Sequence, residues 1–214
     1  MITMKRFGLT FTLGIAAICQ AGTTQMSVTS DNLNGRATVE NKILEDGSKY
    51  VRVSMVLEDA GGRSVNIQQE SVYAKDGTPK RKLQVTNLAG GAAKQSVVVT
   101  FDTGGANVTV EAGGKTVKNY VSRPTGKRIE ALPEFWVMRD HPKAGDVFNY
   151  YRFDLGLQDW VENKSTYHGT REITIGNKKV KAHLVTNDNA RAYMDDKGDP
   201  IRIEQNSVVL EKKL

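Results

Sequence analysis

Apolar residues in this chain recur at every second position, segment after segment, and turn-forming steps rich in glycine separate the segments. In Tyr50-Val51-Arg52-Val53-Ser54-Met55-Val56-Leu57 the residues Val51, Val53, Met55 and Leu57 fall on one side, with Arg52 and Ser54 on the other. A period of two is the strand period, because successive side chains of an extended backbone point to opposite faces. The same alternation groups Val65 with Ile67 and Tyr73, Leu83 with Val85, Val97 with Val99 and Phe101, Val108 with Val110, and Val117 with Val121. Between them stand Asp46-Gly47, Gly61-Gly62, Asp76-Gly77, Gly90-Gly91, Gly104-Gly105 and Gly113-Gly114. Glycine supplies the positive φ of tight hairpins, so neighbouring strands are expected to run antiparallel.

Pro124, Pro133 and Pro142 interrupt the pattern, since no central strand tolerates proline. Strands resume near 147–155, 158–168, 171–175, 178–187, 190–195, 200–205 and 207–211, with turns at Gly176-Asn177 and Gly198-Asp199. No helical crossovers separate them, so about a dozen strands should follow one another as a meander. Two hairpins look alike: Tyr73 to Pro79 and Tyr193 to Pro200 each place a proline two residues after a glycine. They are either two ordinary turns or the trace of a duplicated meander whose halves meet near 122–145. The acidic group Asp195, Asp196 and Asp199 lacks the ligand spacing of a calcium loop and reads as a solvated turn.

Within the interruption, Leu132-Pro133-Glu134-Phe135-Trp136-Val137-Met138-Arg139 is one or two helical turns with proline in the first. Leu132, Phe135, Trp136, Val137 and Met138 cannot all face water, so the segment should pack on the sheet, as a fixed plug near 131–141 or as a displaceable lid. A dozen strands with one apolar face expose more greasy surface than one short helix covers, and large exposed patches mark interaction sites. Twist makes a large open sheet curl, into a barrel, two layers or a half-barrel. Tyr150, Tyr151, Phe153 and Trp160 form the densest aromatic group. Alternation sends Tyr151 and Phe153 to one side and Tyr150 to the other, as expected at the centre of a sheet.

The N-terminus carries an address. Lys5 and Arg6 precede the apolar run Phe7 to Ile18, and Cys19-Gln20-Ala21-Gly22 offers a small-residue cleavage site, the pattern of an export signal. Residues 1–21 are therefore expected to be removed, leaving 22–214 as a single antiparallel domain in the periplasm or outside the cell. No apolar run approaches the roughly 20 residues a membrane-spanning helix needs. The signal takes two of 30 basic residues and none of 24 acidic ones, leaving a net charge of +4. Those basic residues are scattered among carboxylates, which argues against nucleic acid as partner. Cys19 is the one cysteine. It is either discarded with the signal or, in Ile15-Ala16-Ala17-Ile18-Cys19, a lipid-bearing N-terminus that anchors the protein to the envelope.

Catalytic signatures are missing. The sequence has no G-x-S-x-G, its three histidines are far apart, and His183 on an alternating strand reads as an exposed imidazole. No metal-ligand spacing and no phosphate-cradling loop occur, so neither metal nor cofactor is expected.

The export signal, the sequential meander, the proline-flanked apolar segment and the hairpin Ala192-Tyr193-Met194-Asp195-Asp196-Lys197-Gly198-Asp199-Pro200-Ile201-Arg202-Ile203 together resemble bacterial envelope proteins of the LolA/LolB-like superfamily, closest in style to DUF3108-like members. The resemblance implies an all-β fold with one short helix, a large curved antiparallel sheet of half-barrel type whose concave face receives acyl chains or a peptide. On that reading Leu132, Phe135, Trp136, Met138, Tyr151, Phe153 and Trp160 form the ligand-binding face and lid. The expected function is a non-catalytic exported binding protein for an apolar ligand, lipid moiety or protein segment. The alternative is an envelope structural or interaction module with no small ligand.

Overall fold

A computed structural model describes residues 21–31, 33–88, 94–129, 133–187 and 190–213, with the backbone alone at Leu88 and at residues 133–135. Cys19 and Leu132 lie outside the described residues, and so does the side chain of Phe135. Among the described residues the chain forms one antiparallel sheet of fourteen strands and one helix. The first run of strands is β1 (Gly22–Thr29), β2 (Leu33–Ile43), β3 (Lys49–Asp59), β4 (Ser64–Tyr73), β5 (Pro79–Leu88), β6 (Lys94–Phe101), β7 (Gly105–Ala112) and β8 (Lys115–Ser122). Helix α1 (Pro133–Asp140) follows, then β9 (Val147–Asp154), β10 (Asp159–Ile175), β11 (Lys178–Asn187), β12 (Ala190–Met194), β13 (Pro200–Gln205) and β14 (Val208–Lys212). Spatial order is β8 to β1 in sequence, then β14 to β9, so the two runs join where β1 pairs with β14 and the sheet ends at β8 and β9. The stretches expected as 158–168 and 171–175 are one long strand, β10, bent by a bulge between Tyr167 and Thr170.

One hairpin geometry recurs. In the turns 44–48, 59–63, 74–78 and 195–199 the first residue's amide bonds to the carbonyl four residues on, while the fourth residue donates back to the first. That fourth residue is Gly47, Gly62, Gly77 or Gly198, each at positive φ. The turn geometry shared by Tyr73–Pro79 and Tyr193–Pro200 thus belongs to a hairpin type used at four places. Those two differ from the others in a register shift beside the proline, where Tyr73 pairs with Pro79 and Met194 with Pro200. Proline has no N–H for the ladder, and the bulge accommodates it.

Cross-strand partners share a face, so the inner face can be traced around the whole sheet. It runs from Tyr167 through Val185, Ala192, Ile203, Leu210, Val28 and Gly35 to Leu57. The main core lies along it, with Met26, Val39, Val53 and Met55 almost fully buried. Strand β5 departs from the expected pattern. Its Lys82, Gln84 and Thr86 pair with Ser71, Gln69 and Ile67 and continue the inner face, while Leu83 and Val85 are half-buried on the outer one. A polar residue is needed inside because of how the sheet ends.

Fourteen twisted strands cannot stay flat, and this sheet rolls until one end lies over the other. On β9, Phe148 and Tyr150 belong to the inner face, because their partners Ser165 and Asn163 share the face of Tyr167. Phe153 and its partner Trp160 point outward, yet Phe153 is only 1% exposed. It packs with Leu155 against Val97, Val99, Ala106 and Val108, which line the inner face of β6 and β7. The β6–β8 end therefore wraps outside the β9–β10 hairpin. β9 is an edge strand covered within by α1 and, at Phe153, covered without by β6–β7, while Val147 and Asn149 on its outer face stay exposed, and it is not the sheet centre that its aromatic content suggested.

Lys82 sits at this overlap. Its Nζ donates to the carbonyl of Phe153 at 3.2 Å, filling an acceptor on the free edge of β9. Burial pushes the ammonium down to about 8 from an ordinary 10.5, helped by the Arg152 guanidinium and opposed by the Asp154 carboxylate. Asp154 is itself buried, held 3.4 Å from Arg152 Nη1, and accepts the amides of Gly156 and Leu157.

Two outcomes follow from this packing. Because its folded pKa is depressed, Lys82 binds fewer protons folded than unfolded between about pH 8 and 10.5, so its contribution makes stability rise with pH there, by up to about 3 kcal/mol. Urea titrations at pH 7, 9 and 10 should show that rise attenuated in Lys82→Met; parallel pH profiles for the two proteins would refute the assignment. Gly35 faces the carbonyl of Val56 so closely that an added Cβ would stand 2.0 Å from its oxygen. Gly35→Ala should cost about 1–3 kcal/mol through strand displacement, read as a lowered thermal midpoint.

Candidate functional site

Helix α1 begins at Pro133, whose missing N–H is no loss in a first turn, and ends where the amide of His141, at φ 45°, bonds to the carbonyl of Val137. Trp136 and Val137 face inward and join Phe148, Tyr150, Tyr167, Val185 and Met194 in a cluster separate from the main core, with Met138 partly buried against it. Trp136 stacks on Phe148 at 5.0 Å between ring centres, and Phe148 on Tyr150 at 5.1 Å. The Arg128 guanidinium lies 4.4 Å from the Phe148 ring centre, a cation–π contact, and also pairs with Asp140 at the helix end. Tyr150 keeps its polar tip satisfied inside, its hydroxyl 3.2 Å from that of Ser165.

The residues expected to share one concave face are split between the two sides of β9. Trp136 and Met138 belong to the helix cluster. Phe153 and Trp160 belong to the overlap, where Phe101, Phe153 and Trp160 meet at 5.3–5.7 Å between ring centres. The Trp160 indole donates to the carbonyl of Val121 on β8 at 3.4 Å, tying the two ends of the sheet together without a strand ladder. Tyr151 is half-buried on the outer side, its hydroxyl reaching Glu162 at 3.3 Å.

His183 is not the exposed imidazole that strand alternation suggested. Its Nδ1 lies 2.7 Å from the Tyr167 hydroxyl and its Nε2 3.2 Å from Asp196 Oδ1. Tyr167 pairs with Val185, so His183, two positions along β11 on the same face, is its diagonal neighbour across the β10–β11 pair. His168 stands apart from this chain, bonded to Thr186. Among the described residues no group of three or more His, Cys, Asp or Glu side chains converges as a metal site, and no helix is long and apolar enough to cross a membrane.

The two edges of the sheet end differently. The amide of Tyr151, on the free side of β9, donates to the carbonyl of Arg128 at 2.8 Å, and Ile129 forms a parallel bridge with Tyr151. With Lys82 on the carbonyl of Phe153, the β9 edge is occupied by the protein's own groups. At the other end, β8 is exposed on both faces along almost its whole length. Beside its last residues an open pocket of about 420 Å³ lies between Thr103-Gly104 and residues 123–127, bordered by Arg123 and Lys127. Residues 113–129 hold Lys115, Lys118, Arg123, Lys127 and Arg128 and no carboxylate. That run is visible in the sequence, but its placement on a bare edge is not.

No protein-family model matches this chain, and no curated protein does. Its fold is shared with a crystal structure of a β-barrel-like protein of the domain family DUF1849 from Brucella abortus. That structure superposes with a TM-score of 0.58 at 14% identity, covering 93% of this chain and 97% of the other. A DUF1089 family protein from Pseudomonas aeruginosa matches more loosely, with a TM-score of 0.40 at 10% identity over 77% of this chain and 87% of its own. Likeness at this level of identity establishes a β-barrel-like architecture, in keeping with the rolled, unclosed sheet.

Proposed function

We propose that this is an exported, non-catalytic binding protein that engages a protein partner through the surface and edge of a self-covered sheet. The observation that carries this reading is the contrast between a filled interior and a bare edge. Trp136, Phe148, Tyr150 and Phe153 are all buried by the protein's own atoms, so with α1 docked these aromatic side chains are covered on both sides of β9. Strand β8 meanwhile presents backbone and side chains to solvent. At the overlap, the buried Lys82 and Asp154 are engaged by Phe153 and Arg152.

A second reading keeps the apolar ligand, lipid moiety or protein segment within the roll. It is favoured by one feature, the separation of the α1 cluster from the main core, which lets a single eight-residue helix leave without unfolding the rest. Phe148, Tyr150, Tyr167, Val185 and Met194 would then line the vacated space, with Trp136 and Met138 on the departing helix.

Protein expressed with its own leader should reach the periplasm with its N-terminus at Gly22 and no acyl mass; an acylated Cys19 at the N-terminus would mean an envelope anchor instead. Native mass spectrometry and a fluorescent fatty-acid probe should find no retained lipid and no probe uptake. Stoichiometric lipid accompanied by faster amide exchange in α1 would replace the first reading with the second. Trp136→Ala should lower stability by about 3–5 kcal/mol in chemical denaturation, as expected for a side chain packed into the core.

A further inference from the structure

We propose that β8 is a docking edge for an acidic, extended segment of another protein, which adds to the sheet as one more strand. This rests on the interaction reading above and names its site and the chemistry of its partner. The register identifies which groups are free. Ala106 pairs with Val121, and two positions further on the amide of Arg123 bonds to the carbonyl of Gly104. Hydrogen-bonded pairs alternate along an antiparallel ladder, so Lys115, Val117, Asn119 and Val121 direct their backbone groups to β7. Thr116, Lys118, Tyr120 and Ser122 direct theirs away from the sheet. No described residue pairs with that row, whereas the equivalent row on β9 is met by Arg128 and Lys82.

An extended peptide can satisfy such a row with its own backbone and place alternate side chains on the two faces. One face of β8 offers Val117, which is 61% exposed; the other offers Lys118 and Tyr120. The Tyr120 hydroxyl is held by Asp102 at 3.2 Å, so the ring stands in a fixed position. Charge selects the partner. Lys115 and Lys118 on the strand, with Arg123 and Lys127 at the pocket beyond it, belong to a run of residues 113–129 without a carboxylate, and the neighbouring Asp102 is already engaged by the amides of Gly104 and Gly105. Carboxylates opposite these lysines are favourable cross-strand pairs. A second copy of this chain is disfavoured by the same rule, because two β8 strands paired antiparallel would set lysine near lysine. A row of backbone amides and carbonyls also matches a peptide and has no counterpart in a nucleic-acid backbone.

The test uses the intact protein and a short peptide of alternating valine and glutamate, with an alternating valine and lysine peptide and a single-stranded oligonucleotide as comparisons. Binding of the acidic peptide should slow amide exchange at Thr116, Lys118, Tyr120 and Ser122 and weaken as salt is raised. Thr116→Pro removes one free donor and keeps both lysines, while Lys115→Glu with Lys118→Glu reverses the charge and keeps the backbone. Each should weaken binding about tenfold, a loss of roughly 1.4 kcal/mol, with the thermal midpoint confirming that the variant is folded. The proposal is overturned by an absence of slowed exchange at these amides, by equal binding of the basic peptide, or by oligonucleotide binding in place of peptide. Concentration-dependent protection without peptide would also overturn it, in favour of self-pairing. Lysines can equally guard an edge against pairing, and in that case no peptide binds. Failure here leaves the interaction reading intact if a partner protects amides elsewhere on the surface; lipid uptake beneath α1 defeats that reading whatever β8 does.

Discussion

A sheet with one apolar face and no strand ladder to close it must find cover for that face, and here it finds it in its own far end. Phe153 and Trp160, on the outward side of the β9–β10 hairpin, fill the inner face of β6 and β7. The rest of the architecture follows from that overlap. It requires an apolar Phe153 on the outer side of β9, it leaves the inner side of the hairpin to be covered by α1, and it brings Lys82 against an edge carbonyl of β9. Rolling past closure also avoids a constraint that a true barrel imposes, since edge-to-edge pairing fixes tilt and stagger together.

Overlap instead of closure leaves two strand edges, and the protein treats them unequally. At β9 the backbone of Arg128 and the side chain of Lys82 take up free groups. Burying an ammonium is costly, and its pKa falls accordingly, but an unsatisfied carbonyl in the same place would carry a penalty of its own. At β8 no described group plays that part, and the strand stands in solvent with its lysines. An exposed edge is a liability for a protein that acts alone and a binding surface for one that does not.

Much of this was legible locally. The faces of β3, β6 and β7 were read correctly from Val53, Met55, Val97, Val99 and Val108, because burial on one face leaves a period-two trace that needs no knowledge of neighbours. The helix at Pro133 was visible from its proline and its crowd of apolar residues. Where local reading failed, a distant contact was responsible. Leu83 and Val85 are the apolar residues in the middle of β5, yet it is Lys82 that points inward, to the carbonyl of Phe153, 71 positions away. The aromatic density around Tyr150 suggested a central strand, whereas it belongs to an edge strand covered within by α1 and, at Phe153, without by β6–β7. His183 looked exposed by alternation and is held by Tyr167 on β10 and Asp196 in the turn after β12, partners that no spacing announces.

The candidate site was legible only in part. Trp136, Met138, Phe153 and Trp160 were recognisable as apolar residues in need of cover, but β9 divides them between two clusters. The sequence by itself determined the sequential pairing within each run of strands, its antiparallel sense, hairpin positions and the need to hide an apolar face, but not that the two runs join through β1 and β14. Those are consequences of backbone geometry over a few residues: alternating side chains, glycines at positive φ, prolines without a donor. Only the tertiary structure decided which end of the sheet lies inside, which edge is satisfied and which is left bare. Those outcomes depend on how far the twist of fourteen strands carries one end past the other, a sum over the whole sheet that no single segment contains.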